Sequence, residues 1–209
     1  MQERQVTIGG ETFKVPNPFL VMATQNPIET EGTYALPEAQ VDRFMLKVLV
    51  GYPSPTEEFV IVERMTGFLQ AVQKVLTTDQ LLELQKRAYQ VYVDPALIEY
   101  TIRLVNATRN PKEVGLGALE HYITFGASPR ASINLILTAK ALAFVRGRPY
   151  VLPEDVLDMA LDVLRHRLVP SYEALSDNVS SDDLVKQILG RIPTPVVPLH
   201  EHLVFRPNA

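Results

Sequence analysis

Apolar positions in the first fifty residues come as short runs. Residues 19–23, Phe19-Leu20-Val21-Met22-Ala23, are unbroken apolar and lie between Pro18 and the polar exit Thr24-Gln25-Asn26-Pro27. That pattern predicts a strand buried on both faces, as in a parallel sheet. Residues 45–50 predict a second such strand. Upstream, Val6-Thr7-Ile8 and Glu11-Thr12-Phe13 flank Gly9-Gly10, the dipeptide of a two-residue primed turn, which predicts a β-hairpin over residues 3–14. Between the strands, Pro37 suits the first position of a short helix with Leu36, Val41 and Phe44 on its inward side. Arg43 then falls near that helix's C-terminal end. Ser54-Pro55-Thr56-Glu57 is a capping box that opens a helix over about residues 55–65, and Thr66-Gly67 stops it.

From about residue 76 the pattern changes to helical periodicity with repeated caps. Thr78 opens a helix to about residue 89, and Asp94-Pro95 opens another to about residue 107, with Leu97, Ile98, Ile102 and Val105 on one stripe. A long loop over residues 108–127 follows, of the length that is usually functional or mobile. Ser128-Pro129-Arg130 caps the longest helix, to about residue 145. Leu152-Pro153-Glu154-Asp155 starts the next, ending at Arg165-His166-Arg167, a basic run that complements a helix C-terminus. Ser181-Asp182-Asp183 opens a last short helix, and a proline-rich tail follows. The expected organisation is an α/β part over residues 1–75, an all-α part over 76–195 and an extended tail over 196–209.

Composition adds limits. The net charge of −4 and the absence of cysteine exclude a disulfide framework and give no general attraction to nucleic acid or anionic membrane. No apolar run is long enough to span a bilayer, and MQERQVTIGG has no apolar signal-peptide core, so a cytoplasmic location is expected. The motifs G-x-S-x-G, H-E-x-x-H and G-x-x-x-x-G-K-[ST] do not occur. The spacing of His121, His166, His200 and His202 completes no metal site.

Among polar residues, Asn26 sits at the carboxyl end of a predicted buried strand, where ligands of open α/β sheets gather. Its carboxamide could orient a water or bind a phosphate oxygen, or it could be a turn residue before Pro27. Arg43 could reach a phosphate, or pair on the surface with Asp42 or Glu38, and on spacing alone the surface pair is favoured. Arg130 stands in the first turn of a helix, where the macrodipole disfavours a cation, so some negative group should compensate it. A helix N-terminus plus an arginine makes an anion site; the alternative is an exposed basic residue.

Taken in order, the stretches RQVTIGGETF, FLVMATQNPIETEGTYALPEAQVDRFMLKVLVGYPSPTEE, FGASPRASINLILTAKALAFVRGRPYVLPEDV and VLRHRLVPSYEAL closely resemble the C-terminal part of a MoxR-type AAA+ ATPase. The resemblance reaches to about residue 195. It implies a partial P-loop AAA+ core (hairpin, two parallel-sheet strands and helices) followed by an all-α helical lid. It places Asn26 at sensor 1, which aligns the attacking water; Arg43 at the arginine finger, which enters the neighbouring subunit's ATP site; and Arg130 at sensor 2, where the lid meets the phosphates. The hairpin falls on the pre-sensor 1 hairpin. The resemblance further implies ATP and Mg²⁺ as cofactors, a homo-hexameric ring, and remodelling or activation of client proteins, often ones with a von Willebrand factor A domain.

The departure from the family is that the Walker A and Walker B motifs and their strands are missing from these residues. A buried parallel strand needs neighbours on both sides, and the sequence supplies at most one. The expectation is therefore a fragment, inactive alone, of an ATP hydrolase. Two other readings stay open: a truncated, non-enzymatic helical interaction module, and a ring ATPase subunit of the magnesium-chelatase kind.

Overall fold

The computed structural model describes residues 5–25, 36–68 and 71–196. The hairpin forms as expected: β1 (Gln5–Ile8) pairs antiparallel with β2 (Glu11–Lys14), with Val6 opposite Phe13 and Ile8 opposite Glu11. Gly9 and Gly10 both adopt positive φ, 61° and 88°, which an L side chain rarely tolerates and a primed turn requires. Helix α1 (Glu38–Val41) is a single turn, with Pro37 as its N-cap rather than its first helical residue. Helix α2 (Pro55–Thr66) has the expected capping box, Ser54 and Glu57 each bonding the other's backbone.

Residues 19–23 and 45–50 make no strand ladder among the described residues, and most of their side chains are exposed. The reason is that a strand buried on both faces exists only between neighbours, and none of the described residues provides them. Indeed no described residue before Val91 is buried. Phe59, Val62 and Met65 of α2 are more than half exposed, at 69%, 54% and 66%.

The hydrophobic core lies wholly in the helical part. It is built from α4 (Pro95–Arg109), α5 (Pro129–Val145), α6 (Pro153–Leu164), the short α7 (Tyr172–Ser176) and α8 (Ser181–Arg191), while α3 (Thr78–Gln90) lies against α5 with no buried residue of its own. The α4 stripe differs from the expected one. Leu97 and Val105 are buried, but Ile98 and Ile102 are exposed, and Tyr100 and Leu104 take the inward positions. Leu97, Tyr100 and Leu104 are spaced i, i+3, i+7, so both stripes satisfy helical periodicity and packing chooses between them. On α5, Ala131, Ala139 and Ala143 are fully buried, and these small side chains allow a close approach to α6.

The long connection after α4 is more ordered than a loop. It holds 3-10 turns at Pro111–Val114 and Gly117–Tyr122 and then β3 (Ile123–Phe125), which pairs antiparallel with β4 (Val169–Pro170). A short strand pair thus sits within the otherwise helical part. Side chains fasten the segment: Arg191 Nε donates to the Val114 carbonyl at 2.9 Å, and Arg109 Nε to that of Ala127 at 2.9 Å. Gly126 passes so close to the Thr108 carbonyl that a Cβ would lie 2.5 Å from its oxygen. At the start of α6, the fully buried Asp155 accepts from Arg146 at 2.8 Å, Arg148 at 2.7 Å and the Leu152 amide at 2.8 Å. Burial alone would raise its carboxyl, yet these donors hold it below the ordinary carboxylate value.

Residues 42–47 run along the C-terminal end of α6. The Lys47 amide donates to the Asp162 carbonyl at 2.8 Å, and Arg165 Nη1 donates to the Lys47 carbonyl at 3.0 Å. His166 Nε2 lies 3.1 Å from the Phe44 carbonyl and 2.8 Å from Arg167 Nη1, while its buried Nδ1 has no partner. A proton on Nε2 serves Phe44; a proton on Nδ1 leaves a buried N–H unpaired. A second proton has nowhere favourable to go. Burial first, and then the Arg167 charge, push the imidazole down to about 4, although the Phe44 contact favours protonation.

This has a measurable consequence. Unfolded histidine titrates near ~6.5, so between there and about 4 the unfolded chain binds a proton that the folded chain refuses. Stability should therefore fall as pH drops through that window, by on the order of 1–2 kcal/mol once solvent screening is allowed for. Urea unfolding at pH 7.5 and pH 5 should show this loss in the wild type and a smaller one in His166→Gln. An equal loss in both would show that another group controls it.

Candidate functional site

The expected site residues do not stand alone; an aspartate gathers them. Asp42 is the C-cap of α1, and its carboxylate points at the start of α5. Ser128 Oγ donates to Oδ1 and Oδ2 of Asp42, both at 3.0 Å, and Arg130 Nη1 donates to Oδ2 at 3.0 Å. Arg167 Nε donates to Oδ1 at 3.1 Å. Ser128 also caps α5 in the ordinary way, accepting from the Arg130 amide at 3.3 Å. A carboxylate thus sits at the positive end of a 17-residue helix and beside the arginine of its first turn. This is the compensation that a cation in that position calls for.

The electrostatics follow from the partners. Burial by itself would raise the Asp42 carboxyl, but hydrogen bonds from Arg130 and Ser128 and the charges of Arg167 and Arg130 outweigh it and hold the group below the usual carboxylate value. Arg167 is pulled the other way. Its side chain is 0% exposed, and burial lowers its basicity while Asp42 restores part of it. Arginine begins so basic that it remains a cation here.

Arg167 is also the residue that fastens the two ends of the site. Its Nη2 donates to the carbonyls of Asp42 at 3.1 Å and Phe44 at 2.5 Å, and its Nη1 to that of Met45 at 3.3 Å and to that of Val163. The planar fork of guanidinium N–H groups suits such a set of carbonyls in a way that a lysine ammonium does not. A cleft of ≈ 170 Å³ opens beside it, with Glu38, Asp42, Gly126, Ser128, His166 and Arg167 in its walls. A wider groove of ≈ 640 Å³ lies apart from these residues, along Tyr52, Pro53 and the first turns of α2.

Each expected residue can now be placed. Arg130 is at the second position of α5, with its side chain 39% exposed and ion-paired to Asp42. Arg43 follows the α1 C-cap and is exposed, and its side chain makes no hydrogen bond or ion pair among the described residues. The surface pair with Asp42 that spacing favours does not form, because Asp42 faces the lid arginines instead. Asn26 lies outside the described residues. Asp42, Ser128 and Arg167 were not singled out as site residues by sequence reasoning. Asp42 figured only as a surface partner, Ser128 only as a cap and Arg167 only as a helix-end charge. Among the described residues no group of three His, Asp or Glu could hold a metal ion, and no helix is long and apolar enough to cross a membrane.

The donors around Asp42, namely Arg130, Ser128 and the first amides of α5, suit an oxyanion such as a nucleotide phosphate. Comparison with known proteins points the same way. Residues 1–46 match the family model of the ATPases associated with various cellular activities (AAA), and residues 118–188 match that of the AAA lid domain. Chaperone MoxR1 of Mycobacterium tuberculosis is 51% identical over 197 residues, which are 94% of this chain and 52% of that protein. Protein MoxR of Paracoccus denitrificans is 31% identical, over 93% of this chain and 61% of its own length. A crystal structure of a candidate ATPase from Cytophaga hutchinsonii superimposes with a TM-score of 0.88 at 45% identity, over 93% of this chain and 59% of that one. The chain spans about half the length of MoxR1, the relative with 52% coverage. With the hairpin, the helical lid and these likenesses together, the chain belongs to the MoxR-type family of AAA+ ATPases.

Proposed function

We propose that these residues serve a MoxR-type ring ATPase that couples ATP hydrolysis to remodelling or activation of client proteins. The observation that carries this reading is the pair of neighbours Asp42 and Arg43. One is tied to the lid arginine Arg130, and the other is exposed and unengaged. In this reading Arg130 is sensor 2 and contacts the nucleotide phosphates from the lid. Arg43 is the arginine finger of the next subunit's site, and Asn26 is sensor 1, orienting the attacking water. The α/β part ends near residue 75, in keeping with a core confined to residues 91–192.

ATP with Mg²⁺ supplies the reactive phosphoanhydride and the charge-neutralising ion; the chain's own residues position and stabilise. A loose phosphoryl-transfer transition state leaves little covalent work for side chains, and a finger supplied in trans is worth ~10³–10⁵ in rate in other nucleotide hydrolases. Because these residues contain no G-x-x-x-x-G-K-[ST] loop, the reading requires that a P-loop be brought by further polypeptide. A finger acting on a neighbour further requires a closed ring, for which six subunits is the family's arrangement. The exposed apolar surface of residues 19–23 and of α2 is consistent with packing against the rest of an ATPase core. A cytoplasmic setting and clients with a von Willebrand factor A domain complete the proposal.

The tests are direct. The purified 209-residue chain should show no ATP turnover, and measurable hydrolysis by it would overturn the requirement for a P-loop from elsewhere. In a P-loop-bearing subunit that includes these residues, Arg43→Ala should lower turnover by about 10³-fold while sparing ATP binding. Mixing that variant with a P-loop lysine variant should recover activity at the interfaces that pair an intact finger with an intact loop. Normal turnover in Arg43→Ala would remove the finger assignment. Arg130→Ala should weaken nucleotide binding about fivefold to tenfold, the loss of one charge-assisted contact; unchanged affinity together with unchanged turnover would reject sensor 2.

A further inference from the structure

The contact between Asp42 and Arg130 occupies the arginine that the proposed function assigns to phosphate. The two partners of Asp42 are not equivalent. Arg167 has no exposed side-chain surface and is bound to the carbonyls of Asp42, Phe44, Met45 and Val163 as well as to the carboxylate. It cannot leave without abandoning all of them. Arg130 is 39% exposed and gives Asp42 a single N–H, with the other guanidinium donors unused among the described residues. If Arg130 turns away, Asp42 keeps Arg167 and the Ser128 hydroxyl, whose one proton is shared between the two carboxylate oxygens. The carboxylate therefore stays compensated, and no buried charge is stranded.

We propose that Asp42 is an internal counter-ion that Arg130 exchanges for a phosphate anion, a positioning residue that holds the lid arginine until nucleotide arrives. The inference rests on the reading of Arg130 as a phosphate contact. Its consequence is a link between two sites. Asp42 is bonded to Arg43 through one peptide unit, and its backbone carbonyl is held by Arg167. The exchange changes the load on the carboxylate at the base of the finger, while Arg167 keeps the finger's segment in register with α6. Occupation of the phosphate site in one subunit thereby reaches the arginine offered to its neighbour.

The exchange is testable in the 209-residue chain with inorganic tripolyphosphate as the probe, titrated calorimetrically at low ionic strength. Asp42→Asn removes the competing charge and keeps the shape, so it should tighten tripolyphosphate binding about fivefold, the size of a half-exposed ion pair. Arg130→Gln should weaken binding in the wild-type background and cancel the gain in the double variant. A second measurement uses only the wild type. The Asp42 carboxyl, faced by Arg130 and Arg167 with His166 and Glu38 in the same cleft, should titrate at higher pH by carboxyl carbon-13 NMR when tripolyphosphate is saturating. The upward move signals the loss of Arg130, and hydrogen exchange of the Lys47 amide, bonded to the Asp162 carbonyl, should be unchanged because Arg167 still holds the segment on α6.

A folded Asp42→Asn chain with unchanged or weaker affinity overturns the exchange, and so does an unmoved Asp42 titration, which decides the matter if the variant does not fold. If Arg130→Gln weakens binding while Asp42→Asn is neutral, the exchange alone fails. If Arg130→Gln changes nothing in either background, the phosphate reading of Arg130 fails, and the exchange falls with it.

Discussion

Arg167 carries a full positive charge into a site from which water is excluded, a placement that costs several kcal/mol unless every donor finds a partner. The partners come from both parts of the chain: the carboxylate and carbonyl of Asp42, the carbonyls of Phe44 and Met45, and the carbonyl of Val163 in the last turn of α6, just before Arg167. A guanidinium that is satisfied only when residues 42–45 lie against α6 makes that docking obligatory. The rest of the site inherits its geometry from this demand. With Asp42 fixed by Arg167, the second oxygen of its carboxylate meets Arg130 and Ser128 at the start of α5, and Arg43 is left facing outward.

The same arrangement explains why the first part of the chain holds a defined position without a core of its own. No described residue before Val91 is buried, and only Leu46 among them packs on the apolar cluster of the helical part. The attachment is mainly polar: the Lys47 amide bonded to Asp162, the Lys47 carbonyl bonded by Arg165, the Asp42 carboxylate bonded by Ser128 and Arg130, and the Arg167 set. Polar attachments of this kind define orientation more than they contribute net stability, because each bond replaces one to water. The helical part, with its buried leucines, valines and alanines, supplies the cohesion.

What could be read from the sequence divides along the range of the interactions. Gly9-Gly10 specifies its turn locally, and the Ser54-Glu57, Asp94 and Ser128 caps each act over a few residues, so those elements fall where local chemistry puts them. Residues 19–23 carry an equally clear local signal, yet they make no ladder, since a parallel strand is a property of its neighbours and not of its own residues. The α4 stripe is an intermediate case. Leu97 is shared by both candidate faces, and only packing against α5 and α8 selects Tyr100 and Leu104 over Ile98 and Ile102.

The site shows the same division more sharply. Arg130 could be suspected because a cation in a first helical turn is locally unfavourable and implies a compensating anion somewhere. The identity of that anion could not be read, because Asp42 lies 88 positions away, and Arg167 lies 125 positions from Asp42. Sequence proximity argued for the wrong pair: Asp42 and Arg43 are adjacent, and an exposed salt bridge between them costs nothing to draw. Adjacent residues leave a strand-like or turn backbone in different directions, however, and once the buried Arg167 claims the carboxylate, Arg43 has no route to it. The unengaged arginine is therefore a by-product of satisfying the buried one. The exposed side chain of Arg43 is left unengaged by the residue beside it, whose carboxylate is committed to Arg130 and Arg167.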